Sequence, residues 1–187
     1  MSGDVQVRFC ESLGVRFPRA THLVVLARYQ GSQLTGWVES KLEGWLGLEI
    51  NREKTRVVKL KEEGASLDFL GFTFRYQDSL QGGRGRYLHV GPSAKALKKE
   101  REKLHEMTNH RQCFQPIPRM IERINRHLKG WKNYFDYGYP RRAFREINTY
   151  TRNRLMQHLR RRSQRPFRPP EGVSYYEQIK RFGLVRL

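Results

Sequence analysis

The 187 residues are 37% hydrophobic and carry 37 Lys and Arg against 18 Asp and Glu, a formal net charge of +19. That composition allows a modest core in one or two domains, and with Cys10 and Cys113 as the only cysteines it excludes a disulfide framework and fits a reducing cytoplasm. The charge is lopsided: residues 1–90 hold 13 Lys and Arg against 10 Asp and Glu, and residues 91–187 hold 24 against 8. A folded region with that excess is expected to meet a polyanion, nucleic acid ahead of an anionic membrane surface. No apolar run is long enough to span a bilayer, and no basic segment followed by an apolar one marks a signal peptide.

Residues 1–18 show little periodicity. His22-Leu-Val-Val-Leu-Ala-Arg28 is a short apolar run rich in β-branched residues, which predicts a buried strand. Gly31-Ser32 opens a helix pattern in which Leu34, Trp37, Val38, Leu42, Trp45 and Leu46 share a face. A polar turn over residues 50–55 leads to a second strand, Arg56–Leu60. Leu67–Tyr76 reads as a third strand, and Tyr87–Val90 as a fourth after the Gly82-Gly83-Arg84-Gly85 turn.

At Pro92-Ser93 the character changes. Ser93 suits an N-cap for a helix over residues 94–107, with Leu97, Leu104 and Met107 inward and its lysines outward. His105, His110 and Cys113 lie close by, but they lack a fourth ligand and the second half of any zinc pattern, so they read as part of a polar inter-helix loop. Ile117, Met120, Ile121, Ile124, Leu128, Trp131 and Phe135 recur at steps of three and four, predicting a second helix with one apolar stripe. Gly138 and Pro140 suit its end, and Phe144, Ile147, Thr151, Leu155 and Leu159 form the stripe of a third helix. Three amphipathic helices on short connections bury their stripes against one another, so residues 91–165 are expected to fold alone as a bundle. Pro166, Pro169 and Pro170 make a linker, and residues 173–182 add a short last helix.

The motifs Leu46-Gly-Leu-Glu-Ile-Asn51, Lys54-Thr55, Phe69-Leu-Gly-Phe72, Gly130-Trp-Lys-Asn-Tyr-Phe135 and Phe182-Gly-Leu-Val185 occur in an order and spacing that resembles the C-terminal part of a group II intron reverse transcriptase/maturase. The resemblance covers roughly residues 19–187 and implies an α+β fold. Residues 1–91 would be a truncated palm of short strands plus one helix, and residues 92–187 a thumb, the maturase-specific domain X, built as a three-helix bundle. The departure from the family is equally informative. Its Tyr-Ala-Asp-Asp box falls on Arg19-Ala20-Thr21-His22, so Thr21 and His22 stand where the catalytic aspartates would be. Nucleotide addition needs carboxylates to hold two Mg²⁺ ions, and neither a hydroxyl nor an imidazole is a useful ligand for that hard cation. The upstream fingers, the palm strand with a third carboxylate and the zinc-bearing endonuclease domain of some members are likewise expected to be missing. Lys54 resembles a lysine near the polymerase site but reads as a turn-surface residue. No catalytic residue, metal or cofactor is therefore assigned.

The resemblance implies RNA binding by the thumb, to group II intron RNA or another structured RNA, as a splicing or folding cofactor. Phosphate contacts are expected from Lys95, Lys99, Lys129, Lys132, Arg141, Arg142, Arg152, Arg160 and Arg161. Tyr134, off the apolar stripe, is the base-stacking candidate, whereas Trp131 and Phe135 lie on the stripe and read as core. Two alternatives stay open: a thumb subunit that completes a split reverse transcriptase whose palm and fingers are on another chain, or reached by self-association, and a decayed fragment.

Overall fold

The computed structural model describes residues 6–11, 22–27, 32–79, 85–162 and 167–187. The fold is mixed α+β, and the chain divides into two compact units, one of residues 1–67 and 74–89, the other of residues 68–73 and 90–187.

In the first unit, β1 (Gln6–Glu11), β2 (His22–Ala27) and β3 (Arg56–Lys59) form an antiparallel sheet in the order β2-β1-β3. Gln6 pairs with Ala27 on one side and with Lys59 on the other, so the central strand is the segment for which the sequence predicted nothing. The helix α1 (Ser32–Ser40) continues into a π-helical turn, Lys41–Trp45, closed where the Leu46 amide donates to the Lys41 carbonyl at 3.1 Å. That wider turn shifts the facing of the side chains beyond it relative to a regular α-helix. Val38, Leu42 and Ile50 are buried with Val25, Leu34 and Leu48 packed against them. Trp37, Trp45 and Leu46, expected on the same face, are 61%, 78% and 51% exposed.

A second sheet has the order β4-β5-β6, formed by Ser66–Phe69, Phe72–Asp78 and Arg86–Pro92. The single strand expected over residues 67–76 is therefore two strands. Leu70 and Gly71 break it, with φ of 48° and 81°; two consecutive residues in the left-handed region are what a two-residue hairpin turn matched to strand twist requires.

The second unit is helical. In α2 (Ala94–Met107) the Ser93 side chain accepts from the Ala96 amide at 3.1 Å, which satisfies one of the amides left without a partner at a helix start. In α3 (Ile117–Phe135) Met120, Ile121, Ile124, Leu128 and Phe135 are buried, and in α4 (Arg141–Arg160) Phe144, Ile147, Thr151, Leu155 and Leu159 are. These are the stripes that the three-and-four spacing predicts. Trp131 is half-buried, 4.8 Å from the Phe135 ring and 5.7 Å from Phe144 across to α4. Gly138 sits in the α3–α4 connection at φ 79°, where a Cβ would lie 2.4 Å from the Val90 carbonyl oxygen, so only glycine fits.

The core does not stop at residue 165. The helix α5 (Tyr175–Arg181) starts with a reciprocal cap between Ser174 and Glu177. Its Ile179 is 2% exposed, and Phe182, Leu184 and Leu187 pack on the same cluster as Leu104, Ile124 and Ile147. Residues 91–165 alone would leave that surface open to water, because the last helix and tail are a wall of the bundle rather than an appendage.

Candidate nucleic-acid interface

The basic residues of the helical unit fall into two groups with opposite roles. Arg123, Arg154 and Arg162 turn inward and tie down the loop between α2 and α3. Arg123 donates to the Met107 carbonyl at 3.0 Å, Arg154 to the Thr108 hydroxyl at 3.3 Å, and Arg162 to the Gln115 carbonyl at 2.6 Å. The loop carries backbone bonds of its own, such as the Gln112 amide to the Asn109 carbonyl at 3.1 Å, and the charge-assisted donors add partners for carbonyls at its two ends. His158 joins them: it is buried, and its Nδ1–H donates to the Thr108 carbonyl at 3.1 Å. Burial holds its pKa below the ordinary value, with Arg162 and Arg154 acting in the same direction.

The second group faces out. On α4, at 100° per residue, Arg141, Arg142, Arg145, Arg152 and Arg160 fall within an arc of about 100°. Arg141, Arg142, Arg145 and Arg160 are exposed and Arg152 is half-buried. Among the described residues, none of the five is ion-paired with a carboxylate. Glu146, at the edge of this arc, is taken up by Arg101 of α2. No acidic residue occupies the first turn of α4, so Arg141 and Arg142 sit against the positive end of the helix dipole, an unfavourable placement that an approaching anion would relieve.

Two of these arginines are held by aromatic rings of α5. The guanidinium of Arg152 lies 5.0 Å from the Tyr176 ring centroid, and that of Arg160 lies 5.0 Å from Tyr175. Stacking fixes the plane of the guanidinium while leaving N–H edges for a second partner.

The structure therefore gathers Arg141, Arg142, Arg152 and Arg160 on one helix face and adds Arg145, which the same helical arithmetic identifies in the sequence. Arg161 is exposed at the C-cap, about 100° from Arg160 and off that arc. Lys95 and Lys99 are exposed one turn apart on α2, joined by Lys98. Lys129 is exposed and Lys132 half-buried near the end of α3. Tyr134 is 53% exposed. Its hydroxyl donates to the Leu70 carbonyl at 2.8 Å and its ring stacks 5.7 Å from Phe72, so it pins the hairpin turn while keeping one face open. The tyrosine partners Tyr175 and Tyr176 had no sequence signal, because chain reversal after α4 brings them there.

Thr21 lies outside the described residues. His22 is placed in β2 opposite Glu11, its side chain outside the description. Residues 82–84 of the glycine turn and 163–166 of the linker are also outside it. Among the described residues, no group of three or more His, Cys, Asp and Glu could hold a metal ion, and no helix is long and apolar enough to cross a membrane.

Compared with known protein families, residues 97–171 match the model described as group II intron, maturase-specific domain. No curated protein matches the chain.

Proposed function

We propose that the chain uses residues 97–171, which match the group II intron maturase-specific domain, to bind structured RNA, group II intron RNA foremost, as a cofactor of splicing or folding in the cytoplasm. The observation that carries this reading is the α4 face, where five arginines share an arc without a carboxylate partner among the described residues. Recognition is electrostatic and by shape, with Lys95, Lys99, Lys129, Lys132 and Arg161 extending the contact to phosphates and Tyr134 offering its open face to a base. Because Thr21 and His22 occupy the positions of the family's metal-binding aspartates, the chain makes no DNA by itself. Domain boundaries at residues 91 and 92 belong to the same proposal.

A second reading is favoured by Trp37, Trp45 and Leu46, which leave apolar surface on the first unit. In it the chain is the thumb of a reverse transcriptase completed by a separate palm and fingers polypeptide. Crosslinking in the native cell, with sequencing of the bound RNA and identification of copurifying protein, tests both. A dominant structured RNA without a polymerase partner supports the first reading, a stoichiometric partner with an intact Asp-Asp pair supports the second, and no enriched RNA contradicts both.

A further inference from the structure

An open cleft of about 400 Å³ is lined by residues of α2, the loop after it and α3. Its floor is Met107, 8% exposed, beside Gln112, and its mouth carries Lys103, Glu106 and Arg126. Arg123 lines it with a guanidinium whose plane is fixed by bonds to the Met107 carbonyl at 3.0 Å and the Gln112 Oε1 at 3.3 Å. The Nε of the same group is buried with no partner among the described residues. We propose that this cleft receives one unpaired ribonucleotide of the bound RNA, its base on Met107 and Arg123, its phosphate on Lys103 and Arg126, and its 2′-hydroxyl donating to Glu106.

The chemistry of the lining separates a nucleotide from simpler occupants. A lone phosphate needs neither an apolar floor nor this much space, whereas an unstacked base can lie on a thioether and a fixed guanidinium plane. A carboxylate in a phosphate-only site would repel its ligand. Glu106 instead pairs with Lys103, 2.8 Å away, and that bond lowers its pKa. An ionised carboxylate is an acceptor only, which suits the hydroxyl that distinguishes ribose from deoxyribose. Among the described residues, Lys103 and Arg126 pair with exposed carboxylates, Glu106 and Glu122, so both can turn to a phosphate at little cost.

The inference rests on the RNA-binding reading, and one experiment distinguishes the failure of each. Anisotropy titrations of the full chain would use three hairpin RNAs: fully paired, with one bulged adenosine, and with that adenosine alone 2′-deoxy. The bulged hairpin should bind at least about fivefold tighter than the paired one, the low end of what stacking one base contributes. The deoxy substitution should remove part of that advantage. Lys103→Gln with Arg126→Gln, both exposed, should abolish the bulge preference while the paired hairpin still binds; unchanged thermal unfolding would show that the fold is intact. Equal, measurable binding of the paired and bulged hairpins by the wild-type chain, or full preference in the double variant, overturns the cleft. Failure of all three RNAs to bind overturns the RNA reading with it.

Discussion

The side-chain amide of Asn125 on α3 brackets the main chain around Val185: the Val185 amide donates to Asn125 Oδ1 at 2.9 Å, and Asn125 Nδ2 donates to the Gly183 carbonyl at 2.8 Å. Asn148 on α4 does the same at Leu187, accepting from its amide and donating to its main-chain oxygen, both at 3.1 Å. Two asparagines thus supply hydrogen bonds of the kind a neighbouring strand would give, and they hold the main chain at Gly183, Val185 and Leu187. Replacing either asparagine by Ala removes both partners at once and should cost about 1–3 kcal/mol. Denaturant unfolding of Asn125→Ala and Asn148→Ala measures this, and a midpoint unchanged from wild type would show that the tail is not held.

The hairpin turn gives a prediction of opposite sign. Leu70 is 66% exposed and sits at φ 48°, a conformation that a branched side chain resists and asparagine tolerates. Its contribution to the turn is the backbone carbonyl that accepts from Tyr134. Leu70→Asn should therefore stabilise the chain by about 0.5–1 kcal/mol, read as a higher unfolding midpoint. Loss of stability would mean that the leucine side chain packs on something.

The buried His158 makes stability depend on pH. Its Nδ1–H is spent on Thr108 and its Nε2 is buried without a hydrogen-bond partner among the described residues, so protonation would bury a second, poorly accepted donor. A histidine whose folded pKa lies below its ordinary 6.5 binds fewer protons folded than unfolded. Stability is then full above about 6.5 and falls as pH drops below it towards the lowered folded pKa. His89, lowered by burial and by Arg75, adds in the same direction. Unfolding midpoints between pH 7.5 and 5, on the order of the histidine range, should fall with acid, and His158→Gln should flatten part of that fall. A midpoint insensitive to pH over this range would contradict the geometry.

Primer extension tests the catalytic assignment. If Thr21 and His22 stand at the family's aspartate positions, as the order of the motifs implies, purified chain should add no nucleotide to a primer on RNA or DNA in Mg²⁺ or Mn²⁺. Asp placed at both positions should still give no synthesis, because a two-metal site needs more than one pair of carboxylates to hold its ions and align the primer. Templated extension above a no-protein control by either protein would contradict this.

Periodicity made the helices legible in the sequence. The stripes of α2, α3 and α4 survive because helices bury side chains at a fixed spacing, and Leu104, Ile124, Leu128 and Ile147 are completely buried as that spacing implies. The strand β1 was not legible, since its residues became a central strand through pairing with segments far along the chain. Leu70-Gly71 lacked the asparagine or aspartate that usually announces a two-residue turn, so β4 and β5 read as one strand. Trp45 and Leu46 read as inward because a π-helical turn leaves no signature in a 3.6-residue pattern, whereas the exposure of Trp37, which precedes that turn, is not explained by it. At the candidate interface the basic character was plain, but its division was not. Arg123 and Arg162 look like Arg142 and Arg160 in the sequence, and only the path of the α2–α3 loop decides which of them turn inward.

The most direct test of RNA binding by the α4 face is the salt dependence of affinity for a structured RNA, wild type against Arg142→Gln with Arg145→Gln. Both side chains are exposed, and among the described residues neither is ion-paired, so the exchange should leave stability near wild type. Neutralising about 4–6 phosphates predicts a slope of log affinity against log salt of roughly −3 to −5, made shallower by about 1–2 units in the double variant. Duplex DNA of equal charge should compete less well than the RNA, because the wide minor groove and 2′-hydroxyls belong to A-form RNA. A slope near zero, or a double variant with unchanged slope and affinity, would contradict the account and leave the arginine face a solvated surface.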